Sequence, residues 1–214
     1  RIALKLHGNK YKEGVSFLHI NAGEFFGFLA WPFLFFVYSL RKLNRPSSWT
    51  ILWFFCIFFG FTFIVSTSGG DSGGYALHLE RLYQRSFSFN DVVGDLYTVS
   101  RYEGTRAMLD VYQPLATWIV SVFTDDSRWL FALFASVFGY FYVQNIRMVY
   151  QKVTKPFHLV TIGFFLLFVF TVPIWNINGV RMWTAAHVFL FGVLKYFLYE
   201  KKSGLLWILL SALF

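Results

Sequence analysis

The sequence has a single cysteine, Cys56, and it lies inside an apolar run. One thiol closes no disulfide and builds no cysteine metal site, so packing is its simplest use. Charge is scarce as well. Asp, Glu, Lys and Arg make up 14% of the 214 residues, against about 25% in ordinary soluble domains. No Gly-Lys-Ser/Thr follows the glycine-rich stretch at 69–74, which excludes a P-loop. There is no His-Glu-x-x-His, and His7, His19, His78 and His158 have no ligand spacing among themselves. Neither a metal nor an organic cofactor is expected.

What is present is apolar. Hydrophobic residues are 57% of the chain and aromatics 23%, including 29 Phe and 8 Trp; the mean hydropathy is +0.52. A soluble domain of this length has too little interior to bury that many large side chains. The expected class is an all-α, polytopic membrane bundle. The net charge of +8 would suggest nucleic acid in a soluble protein. Here the basic residues sit in short connections between apolar runs, which is the membrane pattern, and no nucleic acid is expected.

A membrane span needs about 20 predominantly apolar residues. Residues 48–66 and 157–175 contain no Asp, Glu, Lys or Arg, and residues 129–146 lie between Arg128 and Arg147. Residues 24–40 form a shorter run with Pro32 inside it, and 182–199 form another with Lys195 near its end. The run 204–214 starts a further span. The segment 111–124 is apolar but only fourteen residues long, which suits a re-entrant or interfacial helix.

The positive-inside rule sets a sidedness. Basic clusters fall at Arg41/Lys42/Arg45, Arg147/Lys152/Lys155 and Lys201/Lys202. With all three cytoplasmic, residues 67–128 form an extracytoplasmic cap, and the 176–181 connection lies on the same side. The head, with Arg1, Lys5, Lys10 and Lys12, fits less well, and its side stays open. We expect a piece of a longer chain, since it begins at Arg1 and stops at Phe214 within an apolar run.

Two places on the outer side draw attention. Asp71 follows Gly69-Gly70 and precedes Ser72-Gly73-Gly74. Either Asp71 or Ser72 caps the next helix, or Asp71 is a carboxylate held at the membrane surface as a base or substrate ligand. Arg181 opens an apolar helix just after Asn176, Asn178 and Gly179. It either snorkels at the boundary or binds phosphate, since guanidinium pairs bidentately with phosphate and a helix N-terminus favours anions. Gln113-Pro114 reads as a helix start. His187, inside an apolar helix, reads as packing or a hydrogen-bond partner, and the Asp125-Asp126 pair as a cap for the next span.

Three stretches together are familiar: GGDSGGY at 69–75, YQPLATWIVSVF at 112–123, and NINGVRMWTAAHVFLFGVLKYFLYEKKSGLLWILLSALF at 176–214. In order and spacing, residues 50–214 resemble the EpsG family of Wzy-type bacterial polysaccharide polymerases. Gln113 stands where that family often has an acidic residue before the proline. The resemblance implies glycosyl transfer at the outer face of the bacterial cytoplasmic membrane. Oligosaccharide repeat units carried on undecaprenyl pyrophosphate would be joined there, without a metal. It implies catalytic roles for Asp71 and Arg181 and substrate contacts from Tyr75, Arg81, Arg85, Gln113, Asn176 and Asn178. The partners it implies are the lipid-linked oligosaccharide, membrane lipid, a flippase and a chain-length regulator. A flippase or transporter of the same glycans, or another membrane transferase acting on glycans, is the competing expectation.

The sidedness gives a first test. A cysteine introduced at Asn178 should react with an impermeant thiol reagent added outside the cell, and one at Thr154 should not. The reverse pattern would invert the topology.

Overall fold

The computed structural model describes residues 20–65, 71–85, 111–153, 158–171, 173 and 179–214. All regular structure among them is helical. The chain divides into two units, Arg1–Leu52 and Trp53–Phe214.

In the first unit, α1 (Ala22–Ala30) and α2 (Pro32–Arg41) replace the single span expected over 24–40. The break is local chemistry. Pro32 has no N–H to give to the preceding turn, so it ends one helix and starts the next at N1. Trp31, between them, leaves the helical region with φ −144° and ψ 75°. Asn21 caps α1, its side-chain oxygen accepting from the Glu24 N–H at 2.7 Å. Gly27 lies against the Phe35 ring, where any β-carbon would collide. After α2, Ser48 Oγ donates to the Lys42 carbonyl at 2.7 Å and closes the turn into α3 (Pro46–Phe61).

The second unit is built on α6 (Ser127–Lys152), 26 residues and about 39 Å long at 1.5 Å per residue. The other elements are the second half of α3, α4 (Asp71–Arg85), α5 (Tyr112–Ser121), α7 (Leu159–Thr171), α8 (Val180–Val193) and α9 (Ser203–Leu210). A π-helical turn at Leu194–Leu198 prolongs α8, and a 3₁₀ turn at Ser211–Leu213 ends α9.

Contacts at successive levels along α6 fix the direction of its neighbours. Gly60 of α3 lies against Phe131 and Ala135, and Cys56 against Gly139. Trp53 Nε1 donates to the Ser136 carbonyl at 2.7 Å. Tyr142 OH donates to the Val169 carbonyl at 3.1 Å, and Tyr150 meets Phe165. So α3 and α7 both run antiparallel to α6. Phe138 meets His187, Phe141 meets Phe191, and Tyr199 OH donates to the Met148 carbonyl at 3.1 Å. Hence α8 runs parallel to α6.

The hairpin from α8 to α9 closes on two glycines. A β-carbon on Gly192 would come within 2.7 Å of the Gly204 carbonyl oxygen and the Ile208 nitrogen. The turn between them uses Glu200 at φ 54°, a left-handed conformation unusual for a residue with a side chain. Trp207 then fills the space between Phe141 and Phe191, 5.3 Å from each.

The described lysines of the unit share one end, while Arg128 and Arg181 stand in the first turns of α6 and α8 at the other. Arg147 and Lys152 lie in the last turns of α6, with Lys195, Lys201 and Lys202 around the α8–α9 turn at the same end. Lys152 Nζ sits 4.7 Å from the Tyr199 ring and Lys195 Nζ 4.9 Å from the Phe191 ring, both cation–π distances. Among the described residues one helix, α6, is long and apolar enough to cross a membrane; Pro46–Phe61, Leu159–Thr171 and Ser203–Leu213 are shorter apolar helices. None of the α7 side chains is buried, and Leu159 is 84% exposed.

Gly192→Val should lower stability by about 3 kcal/mol, because a backbone rather than a side chain must give way. Gly163→Ala on α7, where a new methyl meets nothing within 4 Å, should be neutral or slightly stabilising. Thermal unfolding of both variants in detergent checks this. Equal midpoints would contradict the close α8–α9 approach.

Candidate functional site

The N-terminal third of α6 anchors a buried cluster. Leu130, Phe131, Phe134 and Ala135 are fully buried and form one cluster with Tyr75 and Leu79 of α4, Ala116 and Val120 of α5, and Val180 of α8. Tyr75, Leu79 and Leu82 recur at i, i+4 and i+7, so one stripe of α4 faces inward while Asp71, Leu77, Glu80 and Arg81 face out. The start of α5 joins the same place. Tyr112 packs on Phe134 at 5.8 Å and on Phe214 at 4.6 Å, and the Val111 N–H donates to the Leu213 carbonyl at 3.3 Å. The level of Phe134 is seven residues, roughly 10 Å, along α6 from its first residue. So α5 lies alongside the first turns of α6 and does not run its length, as suits the short apolar segment at 111–124.

The expected residues fall as follows. Asp71 is the first residue of α4 and exposed, in the turn where the helix dipole favours a carboxylate. Ser72 beside it is buried. Tyr75 is 8% exposed and stands edge-on to Phe134 at 5.9 Å. Its ring supports α4 rather than offering a face to a sugar; the exposed aromatic on this helix is Tyr83. Arg81 projects away from the cluster. Gln113 is buried, with Nε2 donating to Thr117 Oγ1 at 3.0 Å and lying 3.5 Å from His78 Nδ1. Thr117 Oγ1 in turn donates to the Gln113 carbonyl at 2.8 Å. Arg181 is half-buried in the first turn of α8, directly after the buried Val180. Asn176 and Asn178 and the side chain of Arg85 lie outside the described residues.

The arrangement thus brings Tyr75, Gln113 and the start of α8 to one cluster, with Asp71 one turn before Tyr75 and Arg181 one residue after Val180. It does not bring Arg81 in. Sequence reasoning missed His78 as the neighbour of Gln113. The signal was available: His78 lies between Tyr75 and Leu79 on the buried side of an amphipathic helix. It also missed the contact of Phe214 with Tyr112, which no local pattern encodes.

Beside the cluster, an apolar cavity of about 580 Å³ opens between α3, α5 and α6, lined by Ile57, Ile119, Val120, Phe123, Trp129 and Leu133. The start of α6 carries an ion pair. Asp126 caps α6, its Oδ1 accepting from the Arg128 N–H at 3.0 Å, and its carboxylate accepts from Arg128 Nε at 2.8 Å and Nη2 at 2.6 Å. The Arg128 guanidinium also stands 5.6 Å from the Phe61 ring. Of the expected Asp125-Asp126 pair, Asp126 is the cap. Its hydrogen bond from Arg128 holds the carboxyl below the usual aspartate range. No three His, Cys, Asp or Glu side chains converge on a metal-sized site among the described residues.

Compared with family models, curated proteins and solved structures, the chain matches none.

Asp126→Ala should cost about 1 kcal/mol, the worth of an N-cap. The carboxyl is depressed in the folded state, so wild type should keep this advantage above the unfolded aspartate value of about 3.9. The advantage should vanish as pH falls through the lower folded value. Unfolding of both proteins across acidic pH checks the sign; an advantage that grows in acid would contradict it.

Proposed function

We propose that this chain belongs to a multi-pass enzyme of the bacterial cytoplasmic membrane that polymerises lipid-linked oligosaccharide repeat units by glycosyl transfer at the outer face. The membrane part of the proposal is supported by the apolar exposure. Every side chain of α7 is accessible, and Leu159, Val160, Phe164, Leu167 and Phe170 are all more than half exposed. Water does not tolerate a continuous apolar surface of that kind; lipid does. The described lysines of the second unit, with Arg147, lie at one end and support the reading of that end as cytoplasmic. Helices shorter than α6 then cross with their polar flanks and connections reaching the interface.

One observation carries the enzymatic part. The three stretches that resemble the polymerase family lie far apart in sequence. Yet the starts of α4, α5 and α8, one from each stretch, meet in a single cluster toward the end of α6 away from Arg147 and Lys152. Asp71 and Arg181 flank that cluster. The chemistry suits them. An acceptor hydroxyl attacks the anomeric carbon of the donor sugar, its proton passes to a base, and the bond to pyrophosphate breaks. Asp71 is the candidate for the proton. Arg181, at a helix N-terminus, is the candidate for the charge that grows on the leaving pyrophosphate. The apolar cavity beside Val120 suits the isoprenoid tail.

The test uses the full-length protein in cells that depend on it for a surface polymer. Arg181→Lys should reach wild-type membrane levels and lose about tenfold or more of the polymer, because a point charge replaces a bidentate fork. Asp71→Asn should lose a comparable amount through the missing base. Normal polymer from both variants would remove these residues from the site.

A further inference from the structure

The cations at the α8–α9 turn and the end of α6 gather around Tyr199. The Tyr199 OH stands 3.1 Å from both the Met148 carbonyl and Gln151 Oε1, which ties the end of α8 to the last turns of α6. From α6, Lys152 Nζ lies 4.7 Å from the Tyr199 ring, and the half-buried Arg147 is within electrostatic reach of the same tyrosine. From α8, Lys195 comes one turn before Tyr199 and holds its Nζ 4.9 Å from the Phe191 ring and 5.9 Å from the Trp207 ring. The Lys201 N–H donates to the Lys195 carbonyl at 3.0 Å, the two lysines are within electrostatic reach of each other, and Lys202 follows, exposed.

These turns hold one carboxylate among their described residues, Glu200. Among the described residues it forms no ion pair, and neither do Arg147, Lys152 and Lys195. The cluster therefore keeps a surplus of positive charge, and like charges this close repel. A ring face positions an ammonium group but does not neutralise it. The cations can be reached: Lys152, Lys201 and Lys202 are exposed, and Arg147 and Lys195 partly so. Apolar side chains adjoin them. Phe197 is 73% exposed between Lys195 and Lys201, and Leu205 and Leu206 are exposed in the first turn of α9, directly after Lys201 and Lys202. A soluble anion would use the charge and leave this apolar surface as it is. An anion that carries hydrocarbon chains uses both.

We infer that the cluster around Tyr199 binds the headgroup of an anionic glycerophospholipid. The lipid's phosphate oxygens accept from the cations, and its chains lie along Phe197 and the start of α9. The inference rests on the membrane reading of the chain but not on glycan chemistry, so its failure leaves the transferase proposal standing.

The test is native mass spectrometry of the full-length protein in detergent, titrated with dioleoylphosphatidylglycerol or dioleoylphosphatidylcholine. Wild type should bind the anionic lipid about thirtyfold more tightly, the worth of two or so cations near a headgroup. Lys152→Gln/Lys195→Gln should bring the two lipids to within about threefold of each other. Lys201→Gln/Lys202→Gln, both exposed, should also narrow the preference and decides the matter if the first variant does not fold. Arg41→Gln/Arg45→Gln removes the same charge from the first unit and should keep the full preference. Free glycerol 3-phosphate should not displace the lipid. Equal binding of the two lipids by wild type, or an equal loss in Arg41→Gln/Arg45→Gln, would overturn the inference and leave cations that act only through net charge. Displacement by glycerol 3-phosphate would overturn it in favour of a soluble phosphate.

Discussion

The fold depends on the burial of Phe131 and Phe134 at the level where five helices meet. Those two rings stand edge-on to each other at 5.9 Å. Around them close Phe63 from just beyond α3, Tyr75 from α4, Tyr112 from α5 and Val180 from α8. Aromatic burial of this size supplies both area and geometry, because each ring pair has a preferred tilt. Remove the cluster and α4 loses its only buried stripe. The starts of α5 and α8 also lose the surface that sets their position. The candidate chemistry at Asp71 and Arg181 is placed by packing one step away from it.

At the other end the constraint is different. There the basic residues spread over aromatic faces, and the helices are joined by a turn in which Glu200 adopts a left-handed backbone. The Gly192–Gly204 contact lets α8 and α9 approach closely enough for Trp207 to reach Phe141. On the proposed membrane reading, apolar area gains nothing by leaving one hydrocarbon for another, and close backbone approach of this kind is what holds helices together. The two ends therefore divide the work: shape and charge at one, a ring-lined cluster with polar edges at the other.

Much of this was legible in the residues. The long apolar run between Arg128 and Arg147 marked α6, and the uncharged stretches marked α3 and α7. The short run at 111–124 marked α5 as a helix set apart from the full-length ones. Pro32 was visible too, but its consequence, two helices in place of one, depends on Trp31 leaving the helical region, which composition does not dictate. For the candidate site, the sequence marked Gln113 and Arg181 as residues at helix starts, and both are there. It did not show that Tyr75 points inward, because an aromatic in a partly amphipathic helix can serve either face until a partner such as Phe134 is known. Nor could it pair Asn145 with His187. Those residues are 42 apart, and only the parallel course of α6 and α8 brings them together.

The central claim is that this protein joins lipid-linked repeat units. The most direct measurement supplies the purified full-length protein in liposomes with a single polyprenyl-pyrophosphate-linked repeat unit and follows both products. The account predicts glycans lengthened by whole repeat units, with one polyprenyl pyrophosphate released for each unit joined. Units that cross the bilayer unchanged in length, with no pyrophosphate carrier released, would contradict it and make the protein a carrier of these glycans.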